Sequence, residues 1–98
     1  MIYEITEFSV LPDKLAEAQS LVQNFIQNIK TNEPEILSFE CYQDHGGNRF
    51  FYLASFKDRK SESSYQQNTS TQTFLSSLNP LCQNKPVVTT LDMVGKKE

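Results

Sequence analysis

Three features are missing from this sequence of 98 residues, and each absence excludes a class of protein. No apolar run approaches the roughly 18 residues that a membrane-spanning helix needs. The opening residues, MIYEITEF, have neither the basic start nor the apolar stretch of a signal peptide. The nine Lys and Arg residues form no basic stripe and the net charge is -3, which argues against a nucleic-acid partner. We therefore expect a cytoplasmic protein that binds neither membranes nor nucleic acids.

The sequence also has few of the side chains that metal sites use. It has one histidine, His45, and no group of His, Cys, Asp or Glu with the spacing of a zinc or iron site. His45 lies in a predicted turn, where a histidine is usually a solvated surface group. The two cysteines, Cys41 and Cys82, are most simply free thiols in a reducing compartment. We predict neither a metal nor another cofactor.

What is present is an alternation of strand and helix patterns. Residues 2–10, 36–44, 49–57 and 87–94 are rich in β-branched and aromatic types and predict strands. Apolar residues spaced three and four apart predict a helix over 13–31, followed by the stop signal Asn32-Glu33-Pro34. A second helical region over 58–84 should break near 68–70, because Ser and Thr hydroxyls compete for its backbone.

The order β, α, β, β, α, β predicts a ferredoxin-like α+β fold with a four-stranded antiparallel sheet. The whole chain, 1–98, is then one domain with a short charged tail at 95–98.

The third predicted strand is apolar on both of its faces. One face carries Phe50, Tyr52, Ala54 and Phe56, and the other carries Phe51, Leu53 and Ser55. A sheet with one solvated face should alternate between apolar and polar residues. We therefore expect helices over the first face and a second copy of the chain over the face containing Phe51, Leu53 and Ser55.

Several runs in this order resemble the antibiotic biosynthesis monooxygenase domain family: EPEILSFECYQDHGGNRFFYLASFKD, FLSSLNPL and the strand after NKPVV. The resemblance extends from Ile2 to about Val94. It implies a dimeric α+β barrel with a pocket between the sheet and the helices of each subunit. It also implies oxidation of phenols, quinols or anthrones by O2 without metal or flavin. An electron-rich phenolate can itself reduce O2, so such a protein has only to deprotonate, orient and desolvate it.

The chain departs from the family pattern at the positions that carry chemistry. The glutamate common in the quinol-oxidising branch falls at Ala54, and the common helical histidine falls at Tyr65. A second frequent histidine falls at Ser70. The axial histidine of the haem-degrading branch falls near Leu75, so a haem iron would lack an imidazole ligand. The acid-base pair that the resemblance implies is therefore absent at its usual positions.

The remaining polar groups define a candidate site. Tyr52 and Tyr65 are the candidate catalytic residues if their hydroxyls meet across a small apolar cavity. The alternative is that both tyrosines simply pack in the core. Glu4 and Glu7 point to opposite faces of their strand and cannot act together. The candidate substrate-binding residues are Thr6, Phe50, Phe56, Ser70 and Arg49, and the alternative for Arg49 is a solvated ion pair with Asp44.

Two functions remain open from the sequence. The first is a cofactor-independent monooxygenase acting on a small aromatic. The second is a non-catalytic dimeric module that binds a small hydrophobic molecule. In both, the polar stretch YQQNTSTQTF (residues 65–74) is interpreted as the rim of the pocket.

Overall fold

The computed structural model describes all 98 residues. Its order, β, α, β, β, α, α, β, confirms the predicted ferredoxin-like arrangement with a broken second helical region. One 3-10 turn, Pro12–Lys14, leads into the first helix, and another, Asn79–Leu81, follows the last. The elements are β1 (Ile2–Ser9), α1 (Leu15–Asn32), β2 (Ile36–Gln43), β3 (Arg49–Phe56), α2 (Arg59–Gln67), α3 (Thr69–Leu78) and β4 (Val87–Leu91). The last strand is three residues shorter than predicted, because it ends at Leu91 where its pairing with β1 ends.

The four strands form one sheet in the order β2-β3-β1-β4. Every neighbouring pair is antiparallel, as predicted. The register places Thr6 opposite Tyr52 and Glu4 opposite Ala54 on the two central strands. The β2-β3 hairpin turns at Gly46, whose φ of 73° lies in the left-handed region that favours glycine. The strand β4 lies at one edge of the sheet, beside β1.

The core lies between the helices and one face of the sheet. Phe50, Tyr52, Ala54 and Phe56 are all buried on this face, which confirms the predicted covered side of β3. The long helix α1 packs over it because its apolar residues share one face: Ala18, Val22, Phe25 and Ile29 are the buried ones. The ring of Phe25 stacks on that of Phe74 from α3, with centroids 4.2 Å apart. No helix of the chain is long and apolar enough to cross a membrane.

The opposite face of the sheet is covered by no helix of this chain. Phe51 and Leu53 are partly exposed on it, and the aromatic ring of Tyr42 lies 6.1 Å from that of Phe51. Ser55 differs from these residues because it is already buried within the single chain. Its Oγ lies 2.5 Å from Oγ of Ser38 on β2. Ser55 therefore offers little surface to a partner, whereas Phe51 and Leu53 do.

The break in the second helical region falls at Asn68, within the predicted range. Asn68 has an extended backbone, with φ -66° and ψ 139°. Its side-chain Oδ1 accepts a 2.7 Å hydrogen bond from the backbone N–H of Ser70 and so caps the start of α3. Its side-chain amide donates to Glu33 at the end of α1. One residue thus ends α2, begins α3 and ties the junction to α1.

Candidate functional site

A carboxyl group is buried on the helix-facing side of the central strand β1. Glu4 is 4% exposed, and the neighbouring residue on the same face, Thr6, is 1% exposed. Successive residues of a strand point to opposite faces, so Glu4 and Thr6 share the face that packs under the helices. Charged residues are almost never buried without partners, which makes the surroundings of Glu4 informative.

The partner of Glu4 is a second buried carboxyl group, Glu62 of α2, which is also 4% exposed. Gln66, one turn further along α2, donates a 2.6 Å hydrogen bond from Nε2 to Oε2 of Glu4. On the other side, Oγ1 of Thr90 lies 3.4 Å from Oε2 of Glu62. The exposed guanidinium of Arg59 reaches Oε1 of Glu62 at 3.6 Å. Two carboxyl groups therefore meet beneath α2, with a single cation at the rim.

This environment changes the protonation of Glu4. Burial is the main cause that raises its pKa from 4.5 to about 7. The hydrogen bond and the like charge of Glu62 raise the pKa further, and the amide of Gln66 opposes them. At neutral pH the Glu4 carboxyl is thus divided between its acid and its carboxylate form. A group with such a pKa can both accept and return a proton.

Two tyrosines lie beside this carboxyl pair. Burial is the first cause that raises the pKa of Tyr65, followed by the neighbouring charges of Tyr52 and Glu4. Burial also raises the pKa of Tyr52, and hydrogen bonding with Thr6 opposes it. The hydroxyl of Tyr65 is buried and makes no hydrogen bond of good geometry, although the hydroxyl of Tyr52 lies near it. Both tyrosines are therefore neutral at physiological pH. The hydroxyl of Tyr65 can donate a hydrogen bond to a better-placed acceptor.

The structure brings together four of the residues predicted for the site. Thr6 and Tyr52 are opposite one another on β1 and β3, and the side chain of Tyr65 on α2 lies near Tyr52. The ring of Phe56 lies 5.1 Å from the ring of Tyr65. These four, Thr6, Tyr52, Phe56 and Tyr65, lie close together on the helix-facing side of the sheet, near Glu4.

The other three predicted residues lie elsewhere. Phe50 stacks on Phe8, with ring centroids 5.3 Å apart. Arg49 sits at the start of β3 and forms a 2.7 Å ion pair with Glu7, not with Asp44. The expected Asp44 partner is wrong because Glu7 is two residues from Ser9, the residue that pairs with Arg49, and so shares its sheet face.

Ser70 lines a cavity of about 320 Å³ between α1 and α3. Its polar rim includes Thr69 and Thr73, and its floor includes the stacked rings of Phe25 and Phe74. A second cavity, of about 310 Å³, lies between α1 and β2 beside Phe50. Neither cavity is lined by Tyr52 or Tyr65, which are 4% and 5% exposed. The two tyrosines thus meet without an open space between them.

Sequence reasoning missed the carboxyl pair, although its signals are in the sequence. Glu4 is two residues from Thr6 on a strand, so any argument that places Thr6 beneath the helices places Glu4 there too. Glu62 is three residues before Tyr65 on a helix, which puts both on one helical face. No group of three or more His, Cys, Asp or Glu side chains is arranged to hold a metal ion.

A model of the antibiotic biosynthesis monooxygenase family matches residues 1–76. The chain belongs to this family. The matched part includes β1, β3 and α2, and therefore Glu4, Tyr52, Glu62 and Tyr65. No curated protein sequence matches the chain.

Several solved structures share the fold of this chain. A crystal structure of an antibiotic biosynthesis monooxygenase has a TM-score of 0.86 at 16% identity and covers 97% of this chain and 100% of its own. The Rv0793 structure from Mycobacterium tuberculosis has a TM-score of 0.86 at 15% identity, covering 99% and 98% respectively. A mutant of SnoaB, a cofactor-independent oxygenase from Streptomyces nogalater, has a TM-score of 0.82 at 11% identity, covering 97% and 94%. At identities of 11–16%, these similarities show a shared fold and nothing further.

Proposed function

We propose that this family member is a cofactor-independent monooxygenase that oxidises a small electron-rich aromatic of the phenol, quinol or anthrone type with O2. The observation that carries the proposal is the Glu4 carboxyl, which is buried near Tyr52 and Tyr65 and hydrogen-bonded to Gln66, and whose pKa burial raises to about 7. A chain of this family that lacks its usual acid-base residues needs another group to activate the substrate. Glu4 is the group of suitable pKa beneath α2.

The proposed reaction needs no electron donor besides the substrate. For an anthrone, a methylene group and O2 give a carbonyl group and water, so one oxygen atom enters the product and the other leaves as water. Removal of a proton leaves an electron-rich anion, which transfers electrons to O2 and bonds to oxygen. The resulting hydroperoxide loses water to give the ketone. The protein contributes deprotonation, orientation and exclusion of water.

The active unit is proposed to be a homodimer in which the sheets pack face to face. The supporting observation is the apolar sheet face that no helix of the chain covers, with Phe51 and Leu53 near its centre. Burying such a face would remove the exposed apolar surface of Phe51 and Leu53 from water. Ser55 would lie beneath the contact rather than in it.

A second candidate is a non-catalytic dimeric module that binds a small hydrophobic molecule. The observation that favours it is the cavity between α1 and α3, with its polar rim and aromatic floor, which lies apart from the carboxyl pair. A ligand stacked against the Phe25 and Phe74 rings there would meet no group suited to proton transfer.

Oxygen consumption separates the two candidates. The purified chain is mixed with anthrone and with a panel of quinols and phenols, in the presence of a chelator, and O2 uptake is followed against autoxidation without protein. The monooxygenase proposal expects uptake above autoxidation and one oxygen atom from isotopically labelled O2 in the product. Binding of the same aromatics by equilibrium dialysis, without uptake for any of them, would support the binding module instead.

A further inference from the structure

We propose that Glu4, paired with Glu62, is the general base that takes the acidic proton of the substrate, and that the substrate approaches over the helix-facing side of β4. The inference rests on the proposed function and assigns the proton-transfer step to particular atoms. The substrate class is a planar aromatic with an acidic O–H or an activated C–H, such as a phenol or an anthrone.

The direction of approach is marked by Gln66. Its Nε2 lies 2.6 Å from Oε2 of Glu4, in the position that a proton donor to this oxygen must take. The Gln66 residue is exposed on the surface of α2, so its side chain can rotate into solvent and leave that position to a ligand. Oε2 of Glu4 is therefore the oxygen through which a proton would enter the buried pair.

An unused hydrogen-bond donor next to the pair points independently to a ligand. The Tyr65 hydroxyl is buried and makes no hydrogen bond of good geometry, even with the nearby Tyr52 hydroxyl, although buried hydroxyls nearly always make one. Tyr65 is 5% exposed, and its neighbours include Glu4 and Tyr52. Neither cavity described above is lined by Tyr65, so α2 has to move away from the sheet before a substrate oxygen can accept a hydrogen bond from this hydroxyl. The negative charge that develops on that oxygen when the proton leaves would strengthen the bond.

The way in lies along the edge strand. Val88 and Thr90 lie opposite Thr6 and Glu4 on the helix-facing side of the sheet. Thr6 and Glu4 are buried, and Thr90 contacts Glu62 of α2, but Val88 is 51% exposed, so the helices leave this part of β4 only partly covered. An aromatic ring resting on Val88 would contact apolar surface and bring its acidic proton toward Glu4 past Thr90.

The proton transfer balances without a further reactant. The substrate O–H or C–H bond breaks, its electron pair stays on the substrate, and the proton bonds to Oε2 of Glu4. The new acid can hydrogen-bond to Glu62, whose Oε1 lies 3.6 Å from the guanidinium of Arg59 at the surface. The titratable and charged groups that face Glu4 are Glu62 and Tyr65 from α2, Tyr52 from β3, and Arg59 through Glu62. A pKa of about 7 places the ionised form of Glu4 within reach of neutral pH.

The test isolates proton transfer from oxygenation. Anthrone is incubated with the full chain in deuterated buffer without O2, and exchange of its methylene hydrogens is followed by NMR over a range of pH. The wild type should accelerate exchange, with a rate that rises as Glu4 ionises. The Glu4→Gln variant should lose about 100-fold or more, as expected for removal of a general base. The matched control is Glu17→Gln, which replaces an exposed glutamate of α1 and should leave the rate unchanged.

The Glu62→Gln variant separates a catalytic from a structural role. Glu62 raises the pKa of Glu4, so its replacement should lower that pKa and move the midpoint of the pH-rate profile to lower pH. A pair that only stabilised the fold would change the amount of folded protein without moving the midpoint.

The inference is overturned if wild-type protein gives no exchange above the buffer rate, if Glu4→Gln exchanges as fast as wild type, or if Glu62→Gln leaves the midpoint in place. Exchange without O2 uptake would instead support Glu4 and contradict the proposed monooxygenase. O2 uptake that persists in Glu4→Gln would support the proposed monooxygenase and contradict the assignment of Glu4 as its base.

Discussion

Glu4 on β1 lies directly opposite Ala54 on β3, and the two share the helix-facing side of the sheet. Ala54 is the position at which the family resemblance implies a glutamate. Residues opposite one another on antiparallel strands have Cβ atoms about 5 Å apart. A carboxyl group is therefore present at this site after all, supplied by the neighbouring strand. Tyr65, at the position of the implied histidine, lies above it.

Replacement of Glu4 should change how stability depends on pH. The folded chain holds the Glu4 proton with a pKa of about 7 rather than 4.5, so the folded state binds more protons than the unfolded state between these values. Wild-type stability should accordingly fall as pH rises through this window, by on the order of 3 kcal/mol from this group. The Glu4→Gln variant has no such proton to lose, so its free energy of unfolding should increase relative to that of wild type as the pH rises.

Urea denaturation of both proteins at several pH values measures the difference. The Glu17→Gln control should show no such change relative to wild type across the window, because this glutamate is exposed on α1. A Glu4→Gln difference that stayed constant with pH would show that Glu4 is not buried as an acid.

Removal of the unpartnered hydroxyl should stabilise the fold. Tyr65→Phe removes a buried group that has no hydrogen bond, so the free energy of unfolding should rise by about 1 kcal/mol. Tyr52→Phe is the matched contrast, because the Tyr52 hydroxyl interacts with Thr6 and its loss should lower stability by a similar amount. Thermal unfolding followed by circular dichroism compares the three proteins.

The same Tyr65→Phe variant should be a poorer catalyst while being more stable. If its hydroxyl donates to the developing oxyanion, anaerobic exchange of anthrone should slow by about 100-fold. If the variant is as active as wild type, the Tyr65 hydroxyl does not stabilise the developing oxyanion, and this part of the proposed mechanism is wrong.

Charge placed on the uncovered sheet face should separate the proposed dimer. Leu53→Glu puts a carboxylate at the centre of that face in each copy, so the two would be buried close together. Light scattering should then report a species of 11.3 kDa in place of one with twice that mass. Leu37→Glu is the control, since Leu37 is 52% exposed at the bulge of β2, away from the central strands. An unchanged mass for Leu53→Glu would contradict the proposed interface.

The junction between α2 and α3 should depend on one side chain. Asn68→Ala removes the cap of α3 and the contact with Glu33, which should cost about 1 kcal/mol or more of stability. Gln67→Ala, one residue earlier and exposed, should cost far less. Equal effects of the two substitutions in urea denaturation would argue against the capping role.

Much of the fold was predictable because each element has a strong period. The alternation of residues from Phe50 to Phe56 identified the covered face of β3. Apolar residues three and four positions apart identified the buried face of α1. The break at Asn68 followed from the run of Ser and Thr, which compete for the helix backbone. The end of β4 did not follow, because its pairing with β1 stops at Leu91 although apolar residues continue.

The site was harder to predict because it violates the rule that charged residues face water. Glu62 lies in a helix whose sequence, RKSESSYQQ, suggests full solvation, and its burial becomes visible only when β1 lies beneath it. The expected open cavity between Tyr52 and Tyr65 depended on how closely α2 approaches the sheet. Such distances come from the packing of several elements together, which no local pattern contains.

The most direct test is the titration of the Glu4 carboxyl itself. Carbon-13 NMR of the chain labelled at its glutamate carboxyl groups follows each group separately, and Glu4→Gln identifies the resonance of Glu4. We expect this resonance to titrate near pH 7 in the wild type and to be absent from the spectrum of the variant. If the Glu4 resonance titrates near its ordinary value of 4.5, the carboxyl group is fully ionised at neutral pH, and the proposed proton-accepting pair is wrong.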